Sequence, residues 1–292
     1  MNPDHSQTEP AAQPLLKVRW GAVTNTGLVR EHNEDSFLAA SPVFLVADGM
    51  GGHRFGDQAS KLALSAFASL VGQDFVSAGE LEQALAKAAI SVDTLGRDSV
   101  APGSTLTGLV LSTQGQRPCL RVVNIGDSRT YQLSRGVLSQ VTKDHSRVQE
   151  LIDAGFISVE AARNHPDRSV ITRALGAGSG PVVCVDQVLL PASQGDRYLV
   201  CSDGLSGLVR DAALAAVLSE QDSPQDAAER LLVLALEAGG HDNITVLVVD
   251  VVEATPSWGT EFTDENTIPN QRPDGDTVPR EAVLAFLPEE QP

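Results

Sequence analysis

The chain has 292 residues, and 21 Lys and Arg against 38 Asp and Glu leave a formal charge of −17 at pH 7. Such a body repels polyanions, which argues against nucleic-acid binding by phosphate neutralisation and against adsorption to an anionic membrane surface. Apolar residues make up 42%, the composition of a folded core, and no apolar run reaches the ~18–20 residues of a membrane span, so no membrane insertion is expected.

In chain order, Met1–Pro14 is polar and carries Asp4 and Glu9. It has neither the basic start nor the apolar middle of a signal peptide, and residues 1–16 read as a flexible lead-in. Residues 17–252 alternate apolar runs with turn signals and read as one domain. Strands are expected at 17–24 and 43–47, then helices at 58–71 and 81–97. Strands follow at 105–112, 120–125 and 130–133, a helix at 148–154, and strands at 182–190 and 197–201. Helices at 212–218 and 225–238 precede a last strand at 244–251. The final helix has Asp222-Ser223-Pro224 as a start signal and Gly239-Gly240 as a stop. Strands and helices come in groups rather than alternating, which predicts an α+β protein with helices covering antiparallel sheets. Cys119, Cys184 and Cys201 all lie in apolar, strand-like runs and read as reduced core thiols of a cytoplasmic protein. Residues 253–292 hold nine acids, two bases and six prolines, the composition of a disordered acidic tail.

The acids of the core sit where apolar strands run out into glycine. Phe44-Leu45-Val46-Ala47 leads into Asp48-Gly49-Met50-Gly51-Gly52-His53, Leu199-Val200-Cys201-Ser202 into Asp203-Gly204, and Val122-Val123-Asn124-Ile125-Gly126 into Asp127-Ser128-Arg129. Glu34-Asp35 and Asp242-Asn243 flank further runs. One such strand end is an ordinary turn, but several together would crowd carboxylates that raise one another's pKa unless a cation joins them. The donors are all oxygen, which suits Mg²⁺ or Mn²⁺ rather than Zn²⁺. Two such ions ~3.5–4 Å apart activate a bridging water for phosphate-ester hydrolysis. Arg30, four residues before Glu34, offers the planar fork that binds the remaining phosphate oxygens. None of the three cysteines has an arginine six positions on, so the loop of a cysteine-based phosphatase is missing.

Seven segments complete a pattern: Arg30-x-x-Asn33-Glu34-Asp35, Asp48-Gly49-Met50-Gly51-Gly52-His53, Gly103-Ser104-Thr105, Gly126-Asp127-Ser128-Arg129, Ile171-Thr172-Arg173-Ala174-Leu175-Gly176, Ser202-Asp203-Gly204-Leu205 and Asp242-Asn243-Ile244-Thr245. In order and spacing they resemble the metal-dependent (PPM, type 2C) protein serine/threonine phosphatases in their compact bacterial form. The resemblance implies two stacked antiparallel β-sheets flanked by helices, with a metal cleft at one end. It implies two Mn²⁺ or Mg²⁺ ions bridged by Asp48 and by an attacking hydroxide. Asp203 and Asp242 would hold the first ion, and Glu34, mostly through water, and the Gly49 carbonyl the second. Asp127 with Asp203 is similar to the acids of a third, weaker site. Arg30 looks like the phosphate clamp, and Asp35 like a group behind the ligands that holds a metal-bound water or Arg30. Asn243 is a further candidate for that supporting layer.

Two departures from the pattern stand out. Met50 occupies the place where animal relatives carry a histidine, which leaves His53 or a metal-bound water as the general acid. Asp57 stands where many bacterial relatives have Glu. Residues 145–170 resemble a mobile flap beside the cleft, with Arg147, Arg163 and Arg168 as candidate substrate contacts. The implied substrates are phosphorylated proteins made by a bacterial Ser/Thr kinase. A non-catalytic phosphoprotein-binding module and a hydrolase of small phosphorylated metabolites are the competing readings. In the tail, residues 264–269 and 274–279 each set a Thr among acids before a proline, a candidate docking site for a phosphothreonine-reading partner.

Overall fold

Residues 43–50 show in one strand how the molecule is layered. Val43, Leu45 and Ala47 are buried in a cluster with two helices, while Phe44 and Val46 are buried in a different cluster shared with a second sheet. Both faces of the strand are covered, which is why its sequence is an unbroken apolar run rather than an alternation.

The computed structural model describes residues 14–51, 55–96, 101–177 and 184–255. The elements are β1 (Leu16–Asn25), β2 (Asp35–Ala40), β3 (Val43–Met50), α1 (Gly56–Ser65), α2 (Ala78–Asp93), β4 (Gly103–Ser104), β5 (Leu106–Gln114), β6 (Arg117–Ile125), β7 (Arg129–Ser134) and β8 (Val137–Gln140). Then come α3 (Arg147–Asp153), α4 (Val159–Ala162), β9 (Leu175–Gly176), β10 (Asp186–Pro191), β11 (Arg197–Cys201), α5 (Asp203–Ser206), α6 (Asp211–Glu220), α7 (Pro224–Glu237) and β12 (Ile244–Ala254). One sheet has the order β1-β12-β11-β7-β8 and the other β10-β6-β5-β3-β4-β9, with β2 on the flank of β3. Every strand pair is antiparallel.

Residues of α1 and α2 pack on the outer face of the second sheet through Ala63, Leu81, Leu85 and Val92. Residues of α5, α6 and α7 cover the first sheet through Leu205, Leu214 and Leu231. Between the sheets lie Phe44, Val46, Leu109, Leu111, Leu120, Val122, Tyr198, Val200, Leu247 and Val249. This is the expected α+β sandwich. Among the described residues no helix is long and apolar enough to cross a membrane.

Several expected elements differ in detail. The helix expected over 58–71 ends at Ser65, and a 3₁₀ turn follows at Ala68–Leu70. The i→i−3 bonds Phe67 N–H to Leu64 O and Leu70 N–H to Phe67 O tighten the chain so that Phe67 and Leu70 turn into the core. The helix expected over 81–97 is α2, which starts three residues earlier and ends at Asp93. Of the strand expected over 182–190, residues 182–183 lie outside the described residues, and the strand among the described ones starts at Asp186. Cys184, expected in the core, is exposed, whereas Cys119 and Cys201 are buried as expected. The strands β2, β4, β8 and β9 and the short α4 and α5 were not expected.

The start of α2 shows why that helix begins early. Ser77 accepts the Glu80 N–H, and the Glu80 carboxylate accepts the Ser77 N–H at 3.0 Å, a reciprocal cap. Ser77→Ala is expected to lower stability by about 1 kcal/mol, read as a small fall in denaturant midpoint with an unchanged slope.

Candidate active site

The inward register of β3 runs Phe44, Val46, Asp48. Side chains alternate with period two, so the position that holds core apolars further back carries a carboxylate at the end of the strand. The same change occurs on neighbouring strands. In β5 the inward Leu111 and Leu109 give way to Thr107, and then to Thr105 just before the strand. Beside β11, Tyr198 and Val200 give way to Ser202, and in β12 Val249 and Leu247 give way to Thr245. Antiparallel pairing brings the C-terminal ends of β3, β6 and β11 together with the N-terminal ends of β2 and β12. Asp48, Asp127, Asp203, Asp35 and Asp242 therefore converge at one end of the sandwich.

Buried hydroxyls form a platform below them. The Asp48 N–H donates to Thr105 Oγ1 at 2.9 Å, and Thr105 Oγ1 meets Ser128 Oγ at 2.8 Å. Ser202 Oγ donates to Asp35 Oδ2 at 2.7 Å and accepts the Thr245 N–H at 3.0 Å. Asp35 therefore turns to Ser202 and not to Arg30. Arg30 Nη2 lies 2.7 Å from Asp242 Oδ2, and Asp242 Oδ1 accepts the Asn243 N–H at 2.8 Å.

Asn243 organises the loop that carries the remaining groups. Its Nδ2 donates to the carbonyls of Thr26 and His32, and its Oδ1 accepts the Glu34 N–H at 2.8 Å. Glu34 and Gly49 meet over the first residue of α1. A Cβ on Gly56 would stand 2.6 Å from Glu34 Oε2 and 3.0 Å from the Gly49 carbonyl oxygen. A Cβ on Gly49 would in turn collide with the Gly56 carbonyl, and one on Gly204 with the carbonyl of Asn243. Glycine at these positions allows the backbones to close around the acids.

The electrostatics of the cleft are those of crowded anions. Burial, and then the charges of Asp35, Asp203, Asp127 and Asp242, hold the Asp48 carboxyl well above its ordinary value. Burial and then Asp242 bring Asp203 up to about 6, against a hydrogen bond from Asp48. Burial brings Asp35 up to about 7, with the Ser202 and Thr245 hydroxyls pulling the other way. Burial, then Asp203 and Asp144, raise Asp127 well above its ordinary value. Asp35 Oδ1 and Asp127 Oδ1 are buried without a hydrogen-bond partner.

Among the described residues no three acidic, His or Cys side chains close into a ready-made cage, and Asp242 is paired with Arg30. The residues nevertheless fit a hard divalent cation. All donors are oxygen, two buried carboxylate oxygens are orphaned, Glu34 and the Gly49 carbonyl share one cradle, and a bound cation would relieve the mutual repulsion.

The raised values carry a sign. Each of these acids has a folded pKa above its unfolded value of 3.8, so between about pH 4 and about pH 7 the folded chain keeps protons that the unfolded chain has released. Their contribution to stability is present below that window and lost as pH rises through it. In chelator, the melting temperature is expected to fall between about pH 5 and about pH 8. The stabilisation by Mn²⁺, which binds the ionised acids, is expected to grow over the same range. Melting curves at both pH values check this, and a Mn²⁺ shift equal at the two would contradict it.

Of the sequence-predicted residues, Arg30, Glu34, Asp35, Asp48, Gly49, Asp127, Asp203, Asp242 and Asn243 come together in this cleft. His53 lies outside the described residues. Asp57 stands in the first turn of α1, paired with Lys61 at 3.2 Å. The hydroxyl platform and Gly56 were not foreseen. The inward alternation through Thr105, Ser202 and Thr245 is the signal that carried the platform; Gly56 had none.

The fold and the cleft define a PPM-type architecture, and comparison with known proteins agrees. The family model for protein phosphatase 2C matches residues 29–236, and the chain belongs to that family. It is 41% identical over 247 residues to the serine/threonine protein phosphatase PstP of Mycobacterium tuberculosis, covering 83% of this chain and 46% of PstP. The chain thus spans about half the length of that relative. It is 36% identical to the serine/threonine phosphatase stp of Listeria monocytogenes, covering 78% of this chain and 93% of stp. The crystal structure of the M. tuberculosis phosphatase PstP/Ppp superposes with a TM-score of 0.73 at 39% identity, over 82% of this chain and all of that one. A structure of the PstP catalytic domain in complex with two manganese ions gives 0.70 at 37% identity, with the same coverage of both chains.

Proposed function

We propose that this chain is a metal-dependent phosphatase that removes phosphate from phosphoserine and phosphothreonine in proteins, opposing a bacterial Ser/Thr kinase in the cytoplasm. The convergence of Glu34, Asp48, Asp127, Asp203 and Asp242 with Arg30 at one end of the sandwich carries this reading. The manganese-bound relative supports it, as do the relatives named as serine/threonine phosphatases. The catalytic domain is assigned to residues 17–252.

Asp48, Asp203 and Asp242 would hold one Mn²⁺ or Mg²⁺, and Asp48, Glu34 and the Gly49 carbonyl the other, with Asp127 and Asp203 as a weaker third site. When bound, such ions activate a water for in-line attack and neutralise charge on the phosphoryl group. The chain's own residues do the rest. Arg30 presents its guanidinium to the non-bridging phosphate oxygens. The Ser202 hydroxyl holds the Asp35 carboxylate and the Thr105 hydroxyl holds the backbone amide of Asp48, so little reorganisation is needed when charge develops. Asn243 holds the Arg30–Glu34 loop against Asp242. His53, or else a water, would serve as the general acid.

Turnover of a phosphothreonine peptide, compared with a small phosphorylated sugar under the same Mn²⁺ concentration, tests the substrate class. A higher kcat/KM for the peptide is expected. A preference for the sugar would move the reading to a metabolite phosphatase.

A further inference from the structure

His145 sits at a junction that the cleft acids alone do not explain. Its backbone N–H donates to the Gly126 carbonyl at 2.8 Å, and its ring Nδ1 accepts the Gly126 N–H at 3.2 Å. An amide N–H can only donate, so Nδ1 is the acceptor and the ring proton lies on Nε2. Nε2 stands 3.1 Å from Asp186 Oδ2 on β10, and the other oxygen of Asp186 accepts Arg173 Nη1 at 3.0 Å. The side chain is 2% exposed.

Gly126 is one side of this junction. It has φ of +102°, and its Cα lies against Thr105, whose hydroxyl holds the Asp48 amide. The next residue is Asp127. The other side is the base of the excursion that carries α3 and α4. Ser146 bridges to Ile171, the Arg147 N–H donates to Val170 O, and the Thr172 N–H donates to the carbonyl of His145 itself, both at 2.8 Å. Beyond that neck α3 has no buried residue and α4 has only Ala162.

We propose that His145 is a positioning residue whose ring, oriented by Asp186, locks the Gly126–Asp127 turn of the cleft to the neck of the 146–171 excursion. The two then move as one unit. A histidine that merely filled the core would not need an acceptor on one nitrogen and a carboxylate on the other. The kinetic consequence of this lock rests on the phosphatase reading, but the lock itself does not.

The test separates the two ring nitrogens in the full chain. His145→Asn keeps an acceptor at the Nδ1 position and loses the reach to Asp186. His145→Gln reaches towards Asp186 and loses the acceptor. Amide hydrogen exchange without metal is read at Gly126 and at the neck amides of Arg147 and Thr172. In His145→Gln, exchange at all three is expected to rise about tenfold. In His145→Asn, Gly126 is expected to stay within about twofold of wild type. With Mn²⁺, turnover of a small aryl phosphate is expected to drop roughly 10- to 100-fold in His145→Gln, with most of it retained in His145→Asn. Asp186→Ala, at a half-exposed position, removes the acceptor that orients the ring and is expected to raise Gly126 exchange severalfold, whereas in His145→Asn no ring remains to be oriented; it decides the matter if both His145 variants fail to fold. Unchanged Gly126 exchange in His145→Gln, a rise at Gly126 that leaves the neck amides unmoved, or equal losses of turnover in the Asn and Gln variants would overturn the proposal. A wild type without turnover would remove the phosphatase reading and leave the exchange result to decide the lock.

Discussion

Asp203→Asn is expected to lower kcat/KM for a phosphothreonine peptide by about 10³-fold, equivalent to about 4 kcal/mol. Asp203 is the first residue of α5, delivered by the buried run of β11 and backed by Gly204, whose Cα packs on the Asn243 carbonyl. Its carboxylate is assigned to two of the proposed ion positions. Asparagine keeps the shape and one acceptor oxygen but removes the anion that a hard cation requires. The folded protein is not expected to suffer. Burial and Asp242 already oppose the charge on Asp203, so in chelator near pH 8 the variant is expected to melt at or above the wild-type temperature. Loss of turnover with retained stability separates a ligand from a packing residue. A loss of less than about tenfold would remove Asp203 from the metal-binding set.

Arg197→Met is expected to cost about 3–5 kcal/mol of stability, a fall of about 10 °C in melting temperature for a domain of this size. Arg197 is 8% exposed and its guanidinium is saturated. Its Nε and Nη2 bind the two oxygens of Asp250 at 2.6 and 2.9 Å, and the remaining donors meet the carbonyls of Leu218, Gln221 and Asp222. One side chain thus ties β11 to β12 and closes the end of α6 and its link to α7. Methionine fills part of the volume but takes the arginine donors from the Leu218 and Gln221 carbonyls, and leaves the Asp222 carbonyl and Asp250 to Arg19 alone, at 2.6 and 2.9 Å. Most of the loss arises from Asp250, so adding Asp250→Leu is expected to recover part of it. Arg197 opens β11 and Asp203 follows its other end, so activity well below the melting temperature is expected to stay near wild type. The same arginines line a groove of about 580 Å³ with Asp196 and Asp222; the Arg197 donors are taken up by the fold itself, and Arg19 gives Nε to Asp250 and Nη2 to the Asp222 carbonyl.

The strand ends were readable because each combines a two-sided apolar run with an acid and a glycine, as in Val46-Ala47-Asp48-Gly49. The long strands followed from β-branched runs, and β11 was read over its full span of Arg197–Cys201. β2 was not readable, because Asp35-Ser36 opens it, Phe37 lies partly open, and its pairing with β3 is decided by tertiary contact rather than propensity. The helix over 58–71 was read too long because its apolar spacing continues past Ser65, while burial of Phe67 bends the chain there. Cys184 was read as core from an apolar neighbourhood that lies outside β10. Contacts such as Ser202 with Asp35, 167 residues apart, and Arg197 with the α6–α7 link carry no local signal. The hydroxyl platform could have been found by extending the period-two inward register past the last apolar residue of each strand. The roles of the acids came from the resemblance, and their convergence is a finding of the fold.

The most direct measurement is phosphate release from a phosphothreonine peptide by the wild-type chain in chelator, followed by addition of Mn²⁺ in excess. Turnover absent in chelator and restored by Mn²⁺, with a rise in melting temperature over the same concentrations, is the predicted result. Equal phosphate release with and without the metal, or no release at any Mn²⁺ concentration from several phosphopeptides and an aryl phosphate, would contradict a metal-dependent phosphatase site.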